Sequence, residues 1–317
     1  MKEWLKMGEE LKKNGKYPLI YVVILNYNGT RDTVECVQSL LQLDYPNYRI
    51  LVIDNGSAVS CLDEVRKSFP GVVAMDSGGN LGFAGGCNLG IRFALDRGAE
   101  CVWLLNNDTV VEAESLTALV RALEQDDECG IVGSKALAYG TDKIDSAGGR
   151  ILPFLLLHGW TKSIGNGETD RGQFDQDREV DYAPGVSLLI RAETIRETGM
   201  MEERYFLYFE ETDWCLRVKR MGWKIRYCHQ SVVHHKGSQS MGGRSPLQNY
   251  YCARNSLFFI RKHYPFFLWT ALFWWPRYFW VNHWIHGRPV HQRYCKQALW
   301  DVIRNKAGNM AEGMTAE

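Results

Sequence analysis

The sequence predicts an α/β fold in which helices flank a mostly parallel central sheet. From Leu19 to about Gly130, apolar β-branched stretches alternate with helical patterns, and each apolar stretch ends in a polar or glycine-rich turn. Strands that alternate with helices of this length are joined by right-handed crossovers and lie parallel in one sheet. Ligands of such sheets bind beyond the carboxyl ends of the strands. The polar turns are therefore the expected location of a functional site.

The predicted elements follow from the residue pattern in chain order. Leu19–Leu25 is a continuous apolar run, which is typical of a strand buried on both faces, and Thr30–Leu43 has the spacing of a helix. A glycine-rich loop is expected between the third strand and the helix that follows it. The unit recurs, which predicts strands at Arg49–Ile53, Val72–Met75 and Val102–Leu105, and helices that end at Phe69 and span Asn88–Asp96.

The second half of the chain is less regular. Ser134–Val180 carries glycines and charges without clear periodicity, which predicts loops and short antiparallel strands. Regular structure is predicted again for a strand at Val186–Arg191, a helix at Glu210–Met221 and a strand at Trp223–Tyr227.

Composition excludes several functional classes. The 317 residues are 45% hydrophobic and 23% charged, which fits a globular protein and neither a disordered chain nor a polytopic membrane protein. The formal net charge is zero, so we expect no nucleic-acid partner. Nine cysteines are scattered without paired motifs, and Met1–Pro18 lacks the apolar core of a signal peptide. A cytoplasmic location is therefore expected.

Asn106, Asn107 and Asp108 directly follow the predicted strand Val102–Leu105. A carboxylate and two amides suit a hard divalent cation, which takes oxygen ligands and keeps positions open for phosphate oxygens. The competing interpretation is that Asp108 caps a helix beginning near Glu112. The polar turns elsewhere along the predicted sheet edge favour the cation site.

Two further turns are placed to bind a nucleotide. Asp54 ends the predicted strand Arg49–Ile53, and the segment Ser77–Asn88 is rich in glycine and precedes a helix. Glycines let the backbone approach a ligand closely, and N–H groups at a helix start attract an anion. The spacing matches neither a Walker A loop nor the dinucleotide-binding fingerprint. The competing interpretation is a flexible surface loop, although Leu81 and Phe83 indicate that the segment packs down.

Three carboxylates, Glu210, Glu211 and Asp213, follow an aromatic run at a predicted helix start. Acidic residues stabilise a helix N-terminus, which is one explanation of the cluster. Apolar walls also raise the pKa of a carboxyl group and make it a better general base. Further along, His234 and His235 stand beside a lysine after an apolar stretch, an arrangement typical of a polar site.

In this order, the motifs between Leu19 and Tyr264 resemble glycosyltransferase family 2, and most closely its bacterial rhamnosyltransferase-like members. The resemblance implies a GT-A type, Rossmann-like fold with a C-terminal, aromatic-rich helical appendage. It also implies a nucleotide-sugar site, to which we assign Asn26, Asn28, Asp54, Asn80, Gly82, Asn88 and Asn107.

The same resemblance implies roles for the acidic motifs. Asn106–Asp108 corresponds to the family's DxD metal motif, with Asn106 in place of the first Asp, so Asp108 is the expected metal ligand. His235 matches a histidine that completes the metal site. Glu211 matches the second acid of the family's Glu-Asp-x-Asp segment, which is the catalytic base of an inverting displacement.

The function implied by the resemblance is transfer of a sugar from a nucleotide donor. Mg²⁺ or Mn²⁺ is the expected cofactor, dTDP-L-rhamnose the expected donor, and a saccharide or lipid-linked saccharide the expected acceptor. Two alternatives stay open. One is a UDP-sugar donor such as UDP-galactofuranose or UDP-GlcNAc, and the other is a noncatalytic nucleotide-sugar-binding subunit, since Asn106 and Glu211 depart from the usual acids.

The sequence divides into an N-terminal extension (1–18), a catalytic domain (19–262) and a C-terminal helical segment (263–317). Within the catalytic domain, 19–130 is the predicted nucleotide-sugar part and 131–262 the acceptor part. The aromatic run that starts at Phe266 is broken by Pro276 and Arg277, so it is too short to span a bilayer. Tryptophans beside basic residues favour the membrane interface instead. We expect peripheral contact with the inner face of the cytoplasmic membrane, the alternative being packing on the catalytic domain or in a homodimer.

Overall fold

The protein is described by a computed structural model over residues 17–151, 161–237, 245–276, 281 and 285–309. Most of the predicted N-terminal extension lies outside the described residues, and so does Arg277. A ten-stranded mixed sheet runs through the described part of the chain, and a separate pair of short strands accompanies it.

Four parallel strands form one half of the sheet, in the order β3-β2-β1-β4. Three helices connect them. The strands are β1 Ile20–Asn26, β2 Tyr48–Asp54, β3 Val73–Asp76 and β4 Cys101–Asn106, and the helices are α1 Thr30–Leu40, α2 Leu62–Ser68 and α3 Gly82–Leu95. Asn26 is in register with Asp54, and Leu25 with Asn106. The polar ends of these strands therefore lie side by side, and the predicted mostly parallel sheet flanked by helices is confirmed.

The other half of the sheet is mixed. Strand β11 (Ser187–Arg191) runs antiparallel between β4 and β6 (Cys129–Ala138), and β6 is parallel to β12 (Lys224–His235). The remaining strands are β5 Thr109–Val111, β7 Ile144–Ser146, β8 Gly149–Ile151, β9 Thr161–Ser163 and β10 Arg178–Glu179. The remaining helices of this half are α4 Ser115–Glu124, α5 Ala192–Thr198 and α6 Glu210–Arg220.

The prediction of loops and short antiparallel strands for Ser134–Val180 agrees with β7 to β10, but it missed the end of strand β6, which continues to Ala138 inside the central sheet. The sequence pattern did not predict this part of the strand, because Lys135 places a charge within it. Its side chain is buried and pairs with Asp170 at 2.8 Å and with Asp175. The lysine is therefore neutralised by residues about 35 positions further along the chain.

One other local prediction was wrong, and one competing interpretation is excluded. The second half of the glycine-rich segment is the first part of helix α3, which begins at Gly82 and not near Asn88. Glycines 86 and 90 bring this helix so close to β1 that a Cβ atom at either position would overlap Leu25 or Val23. Asp108 does not cap a helix, because it lies in the two-residue turn between β4 and β5.

The core has two layers, one on each face of the sheet. Alternate residues of β1 point to opposite layers, Val23 with α3 and α6 on one face and Val22 with α1 and α4 on the other. In the described part of the chain the sheet is thus covered on both sides, which leaves the ends of its strands as the place for a ligand.

Among the described residues, three α-helices follow the sheet: α7 Pro246–His263, α8 Leu268–Trp275 and α9 Pro289–Ile303. Helix α9 packs on α7, and the buried carboxylate of Asp301 accepts a 2.7 Å hydrogen bond from the hydroxyl of Tyr250. The predicted appendage is thus continuous with the main core. In the part of the chain that the structure describes, no helix combines the length and apolarity needed to cross a bilayer.

The close approach of α3 to β1 gives a stability prediction. Gly90→Ala is expected to lower the free energy of unfolding by about 1–3 kcal/mol, because the added methyl overlaps Val23 and would lie 2.9 Å from Cδ1 of Ile53. Urea unfolding measures the change. Gly71→Ala is the matched control, because no atom lies within 4 Å of a Cβ built there. Equal stabilities of the two variants would contradict the predicted overlap.

Candidate active site

A cavity of about 330 Å³ opens at the carboxyl ends of β1, β2 and β4. Its polar lining consists of Asn55, Asn80, Asn106, Asn107 and Asp108, and its apolar wall includes Tyr27, Phe83, Phe206, Leu207, Leu247 and Tyr251. A larger cavity of about 540 Å³ lies at the opposite ends of these strands, around Pro18, Cys101 and Arg191. None of the predicted site residues lines that second cavity, so the strand-end cavity is the candidate active site.

The buried amide of Asn26 holds together the turns that follow β1, β2 and β4. Its Oδ1 accepts hydrogen bonds from the N–H of Gly29 at 3.0 Å and the hydroxyl of Thr33 at 2.9 Å. Its Nδ2 donates to Oγ of Ser57 at 3.1 Å. The side chain of Asn107 donates to the same Thr33 hydroxyl at 3.1 Å. Asn26 is therefore part of the frame behind the cavity and does not line it.

Asp54 and Asn28 also hold the turns behind the cavity in place. The carboxylate of Asp54 is 2% exposed and accepts the N–H groups of Ser57 and Cys61 at 2.9 and 2.8 Å. Burial by itself would raise the pKa of Asp54, but these N–H groups hold it below the ordinary value. Asn28 has a positive φ, and its side chain accepts the N–H of Ala58 at 2.8 Å. The structure thus uses both residues to shape the turn beside the cavity.

Asn80 and Gly82 line the cavity at the start of α3. Oδ1 of Asn80 accepts the N–H of Gly82 at 2.9 Å, and Nδ2 of Asn55 donates to the carbonyl of Gly82 at 3.0 Å. Gly82 has φ +72 and lies against Phe206, where a Cβ would meet the phenylalanine carbonyl at 2.5 Å. Only glycine fits this position. Asn55 was not selected from the sequence, although it directly follows Asp54 in the same turn.

Asn88 points away from the cavity. It is buried in α3, donates to the carbonyl of Met201 at 2.9 Å and to Glu203 at 2.9 Å, and accepts the N–H of Met201 at 3.0 Å. These contacts join α3 to the turn before α6. The structure therefore does not bring Asn88 to the predicted nucleotide site, because it lies about one and a half helical turns after the lining residues Gly82 and Phe83 and faces the other way.

Asp108 lines the cavity, and His235 contacts it from outside the lining. Oδ1 of Asp108 lies 3.3 Å from Nε2 of His235, and Nδ1 of the same ring lies 2.9 Å from Oδ2 of Asp145. Burial opposes a charged imidazole, but the two carboxylates raise the pKa of His235 to about 9. His235 in turn lowers the pKa of Asp108 against the effect of burial. The histidine is therefore oriented from both sides.

Asp145 is a site residue that sequence reasoning missed. It lies on β7, a three-residue strand within the region of weak periodicity, and is 90 residues from His235 in the chain. No motif surrounds it. Only the antiparallel pairing of β7 with β6, beside the end of β12, brings it to the histidine.

The Asp108–His235 pair fits a divalent cation. A carboxylate oxygen and an imidazole nitrogen are suitable ligands for Mn²⁺, and a carboxylate suits Mg²⁺. Gly237 leaves space beside both, since a Cβ there would lie 2.8 Å from Oδ2 of Asp108 and 3.0 Å from Nε2 of His235. Among the described residues no group of three acidic, histidine or cysteine side chains forms a metal cage. Such a site would thus leave several coordination positions for phosphate oxygens and water.

The three carboxylates at the start of α6 have different environments. Asp213 is fully buried and pairs with Arg217 at 2.9 Å, Lys262 at 2.8 Å and His263 at 2.6 Å. Despite burial, the contacts with His263, Lys262 and Arg217 hold the pKa of Asp213 well below its ordinary value. Asp213 is thus a structural anion, since it stays ionised and its oxygens are occupied.

Glu210 and Glu211 are the other two carboxylates. Burial raises the pKa of both, and the charge of Glu211 adds to the effect on Glu210. Glu210 is 3% exposed, and in the described part of the chain its Oε2 has no hydrogen-bond partner, whereas Glu211 is partly exposed. Glu211 does not line the 330 Å³ cavity. It directly follows the segment whose Phe206 and Leu207 form the cavity wall.

This fold is shared with a known class of enzymes. The mannosyltransferase PcManGT from Pyrobaculum calidifontis, solved with GDP-Man and Mn²⁺, superposes with a TM-score of 0.56 at 14% sequence identity. The match covers 91% of this chain and 76% of that chain. The protein thus has the GT-A type fold of glycosyltransferases.

The family follows from the sequence comparison. The chain belongs to glycosyl transferase family 2, whose model matches residues 21–197, and this confirms the resemblance that the motifs indicated. The dTDP-rhamnosyl transferase RfbF of Shigella flexneri is 26% identical over 78% of this chain and 82% of that protein. An N-acetylglucosaminyl-diphospho-decaprenol L-rhamnosyltransferase of Mycobacterium tuberculosis is 28% identical over 63% of this chain and 70% of that protein.

The buried ion cluster around Asp213 gives a pH prediction. Asp213→Asn is expected to lower the free energy of unfolding at neutral pH by roughly 2–4 kcal/mol, because Arg217, Lys262 and His263 lose their common partner. The pKa of Asp213 is lowered on folding, so its contribution is present above the ordinary value of 3.8 and is lost as the pH falls through the folded-state value. Urea unfolding of both proteins between about pH 3 and pH 7 should show the stability difference shrinking at the acid end. Glu193→Gln, which changes an exposed carboxylate on α5, is the control. A difference that grows on acidification would contradict the assignment.

Proposed function

We propose that the protein transfers L-rhamnose from dTDP-L-rhamnose to a saccharide or lipid-linked saccharide, with inversion at the anomeric carbon, in the synthesis of a cell-surface polysaccharide. The observation that carries the proposal is the meeting of Asp108 and His235 at an asparagine-lined cavity beyond the strand ends. The choice of rhamnose is supported by the names of the two relatives from Shigella flexneri and Mycobacterium tuberculosis.

The donor contacts are proposed for the cavity lining. Asn80, Gly82 and Asn107, with Asn55, present amide and backbone groups to the cavity, and such groups orient a ligand in a largely apolar pocket. Asn26, Asn28 and Asp54 are proposed to act one layer behind, by fixing the turns that carry these groups. Substitution in this second set would therefore change donor affinity through the position of the turns.

Asp108 and His235 are proposed to hold Mg²⁺ or Mn²⁺. A cation bound there would neutralise the negative charge that develops on the departing nucleoside diphosphate. Asp145 is proposed to accept a hydrogen bond from Nδ1–H of His235, which leaves Nε2 without a proton as the nitrogen that faces Asp108 and the cation.

Glu211 is proposed as the general base, which takes the proton of the acceptor hydroxyl as its oxygen attacks the anomeric carbon. Two observations support Glu211 over its neighbours. Asp213 is occupied by Arg217, Lys262 and His263, and Glu210 is 3% exposed, whereas Glu211 is partly open to solvent. Its raised pKa makes the ionised form a stronger base than an exposed glutamate.

Release of nucleoside diphosphate from a panel of donors tests the function. The purified chain would be incubated with Mn²⁺ or Mg²⁺, a polyprenyl-diphosphate-linked saccharide, and dTDP-L-rhamnose, UDP-galactofuranose or UDP-GlcNAc in turn. Acceptor-dependent release of dTDP is expected. Release of UDP alone would show that the donor is a UDP-sugar. Tight donor binding without any sugar transfer would support a noncatalytic subunit.

The role of Glu211 predicts a kinetic effect without a binding effect. Glu211→Gln is expected to lower kcat by about 10²–10⁴-fold, as loss of a general base typically does, with an unchanged Kd for the donor. Glu210→Gln is the matched control. Glu210 is 3% exposed and lies outside the cavity lining, and an amide replaces its carboxyl group at the same size, so most activity should remain. An active Glu211→Gln protein beside an inactive Glu210→Gln protein would identify Glu210 as the base.

The metal site predicts effects on binding of Mn²⁺ that do not depend on turnover. Asp108→Asn should abolish specific Mn²⁺ binding measured by titration calorimetry in the presence of dTDP. Asp145→Asn should weaken it by about 10–100-fold, because the histidine loses its orienting partner. Asp142→Asn, an exposed carboxylate three residues away, is the control. Wild-type affinity in the Asp145→Asn protein would remove Asp145 from the site.

We further propose that helix α8 docks on the anionic surface of the cytoplasmic membrane, where a lipid-linked acceptor is presented. Phe266, Trp269 and Phe273 are 93%, 79% and 74% exposed, whereas Ala271 and Trp275 are buried on the opposite side. Phe266 lies in the turn just before α8, and Trp269 and Phe273 lie three and seven residues after it, a spacing that places the three exposed rings on one face. Exposed Arg288, Arg293 and Lys296 on and before α9 provide charges that attract anionic headgroups.

Flotation with liposomes of phosphatidylglycerol and phosphatidylethanolamine tests the docking. Removal of the whole C-terminal segment is unsuitable, because α9 contributes to the core through Asp301. A protein with Phe266, Trp269 and Phe273 all changed to serine should stop floating and keep its thermal stability. Val59→Ser, which changes an apolar side chain that is 78% exposed, is the control. Undiminished flotation of the triple variant, or its conversion from dimer to monomer, would favour the packing alternative.

A further inference from the structure

The segment from Tyr205 to Phe209 has an unusual backbone. Three of its side-chain-bearing residues adopt positive φ angles: Phe206 at 66°, Tyr208 at 67° and Phe209 at 76°. Large L-residues avoid this region, so such a conformation persists only where the surroundings hold it in place. We call residues 205–209 the base loop, because Glu210 and Glu211 follow it directly.

The base loop forms part of two functional surfaces. Phe206 and Leu207 line the strand-end cavity, and the carbonyl of Phe206 accepts the N–H of Phe83 at 2.7 Å, next to Gly82. The ring of Phe206 stacks on Tyr251 with 5.3 Å between ring centroids. The path of this loop thus fixes both the wall of the cavity and the first turn of α6.

One side chain of α7 holds the loop by its backbone. Nδ2 of Asn255 lies 2.9 Å from the carbonyl oxygen of Tyr205 and 2.8 Å from those of Leu207 and Tyr208. Asn255 is fully buried. Its two amide protons are therefore shared among three carbonyl groups of a loop that has no regular backbone pairing of its own.

Arg254 orients this asparagine and adds a further bond to the loop. Its Nε donates to Oδ1 of Asn255 at 2.9 Å, which turns Nδ2 toward the loop. Its Nη2 donates to the carbonyl of Tyr205 at 2.9 Å, and its Nη1 donates to the carbonyl of Gly308, after α9, at 2.8 Å. The guanidinium is fully buried among the rings of Tyr250, Tyr251 and Phe258.

We propose that Arg254 and Asn255 are positioning residues for the transfer reaction, which hold the strained base loop so that Glu211 is presented to the acceptor beside the donor cavity. This inference rests on the proposed function. It assigns to the buried pair a role in the geometry of the site, whereas a purely structural pair would contribute to stability alone. A displacement of about 1 Å in a catalytic group can cost about 10²-fold in rate.

The test compares two buried asparagines of the same helix. Asn255→Ala removes the bonds to the base loop, whereas Asn249→Ala removes a bond from α7 to His291 and leaves the loop untouched. Both variants should lose thermal stability. Only Asn255→Ala is expected to lower kcat, by about 10–100-fold, with a much smaller change in the KM for the donor. Equal kcat values for the two variants would overturn the proposal.

Arg254→Lys is the second variant, used also if Asn255→Ala does not fold. Lysine keeps the charge but cannot reach Tyr205, Asn255 and Gly308 together in the planar arrangement of arginine, so kcat should again fall more than KM changes. Wild-type kcat in Arg254→Lys with an intact fold would contradict the role of the guanidinium.

Amide hydrogen exchange separates this inference from the proposed function. The N–H of Phe206 donates to the carbonyl of Glu203, just before the base loop, and the N–H of Leu207 donates to the carbonyl of Tyr205. Both N–H groups should exchange at least about tenfold faster in Asn255→Ala than in Asn249→Ala. If no transfer is found with any donor but this difference is measured, the proposed function fails and the loop-holding role stands. Unchanged exchange in both variants would overturn the loop-holding role, whatever the activity.

Discussion

The amide of Asn26 is the interaction on which the candidate site depends. Three parallel strands end at the same edge of the sheet, and each turn there has N–H and C=O groups that the sheet no longer pairs. Asn26 accepts from Gly29 and Thr33 and donates to Ser57, while Asn107 donates to the same Thr33. One fully buried side chain thus joins the turns after β1 and β2, and Thr33 joins them to the turn that carries Asp108. This network fixes the positions of the three turns relative to one another.

The second half of the chain adds the groups that the first half lacks. Strand β12 brings His235 to Asp108, and β7 brings Asp145 to the other side of the same imidazole ring. Helix α7 contributes Asn255 and Arg254 under the base loop. The family model matches residues 21–197, so it includes Asp145 but ends before His235, Arg254 and Asn255. The candidate chemistry therefore lies at the junction of the two halves, where an open α/β sheet ordinarily binds its ligand.

Three neighbouring carboxylates show how burial and partners assign different roles to similar side chains. Asp213 and Glu210 are both nearly inaccessible, but Asp213 pairs with Arg217, Lys262 and His263, which lower its pKa, whereas the pKa of Glu210 is raised. Glu211 combines partial exposure with a raised pKa. The spacing of the acids along α6 points the three side chains in different directions, so each meets a different environment.

The sequence by itself determined the parallel half of the sheet, the position of its strand ends and the family, because continuous apolar runs followed by polar turns are local patterns. It also predicted Asn80, Gly82, Asn107 and Asp108, which line one cavity in the structure, and His235, which contacts Asp108. Tertiary structure alone decided that Asn88 faces Met201 instead of the cavity, that Asp145 reaches His235, and that Asn255 holds the base loop. It also decided that β6 is a strand, since the charge of Lys135 is cancelled by Asp170 far along the chain. The physical reason is the same in each case. The hydrogen-bond or ion-pair partners of these side chains lie tens of residues away in the chain, and a local sequence pattern carries no information about them.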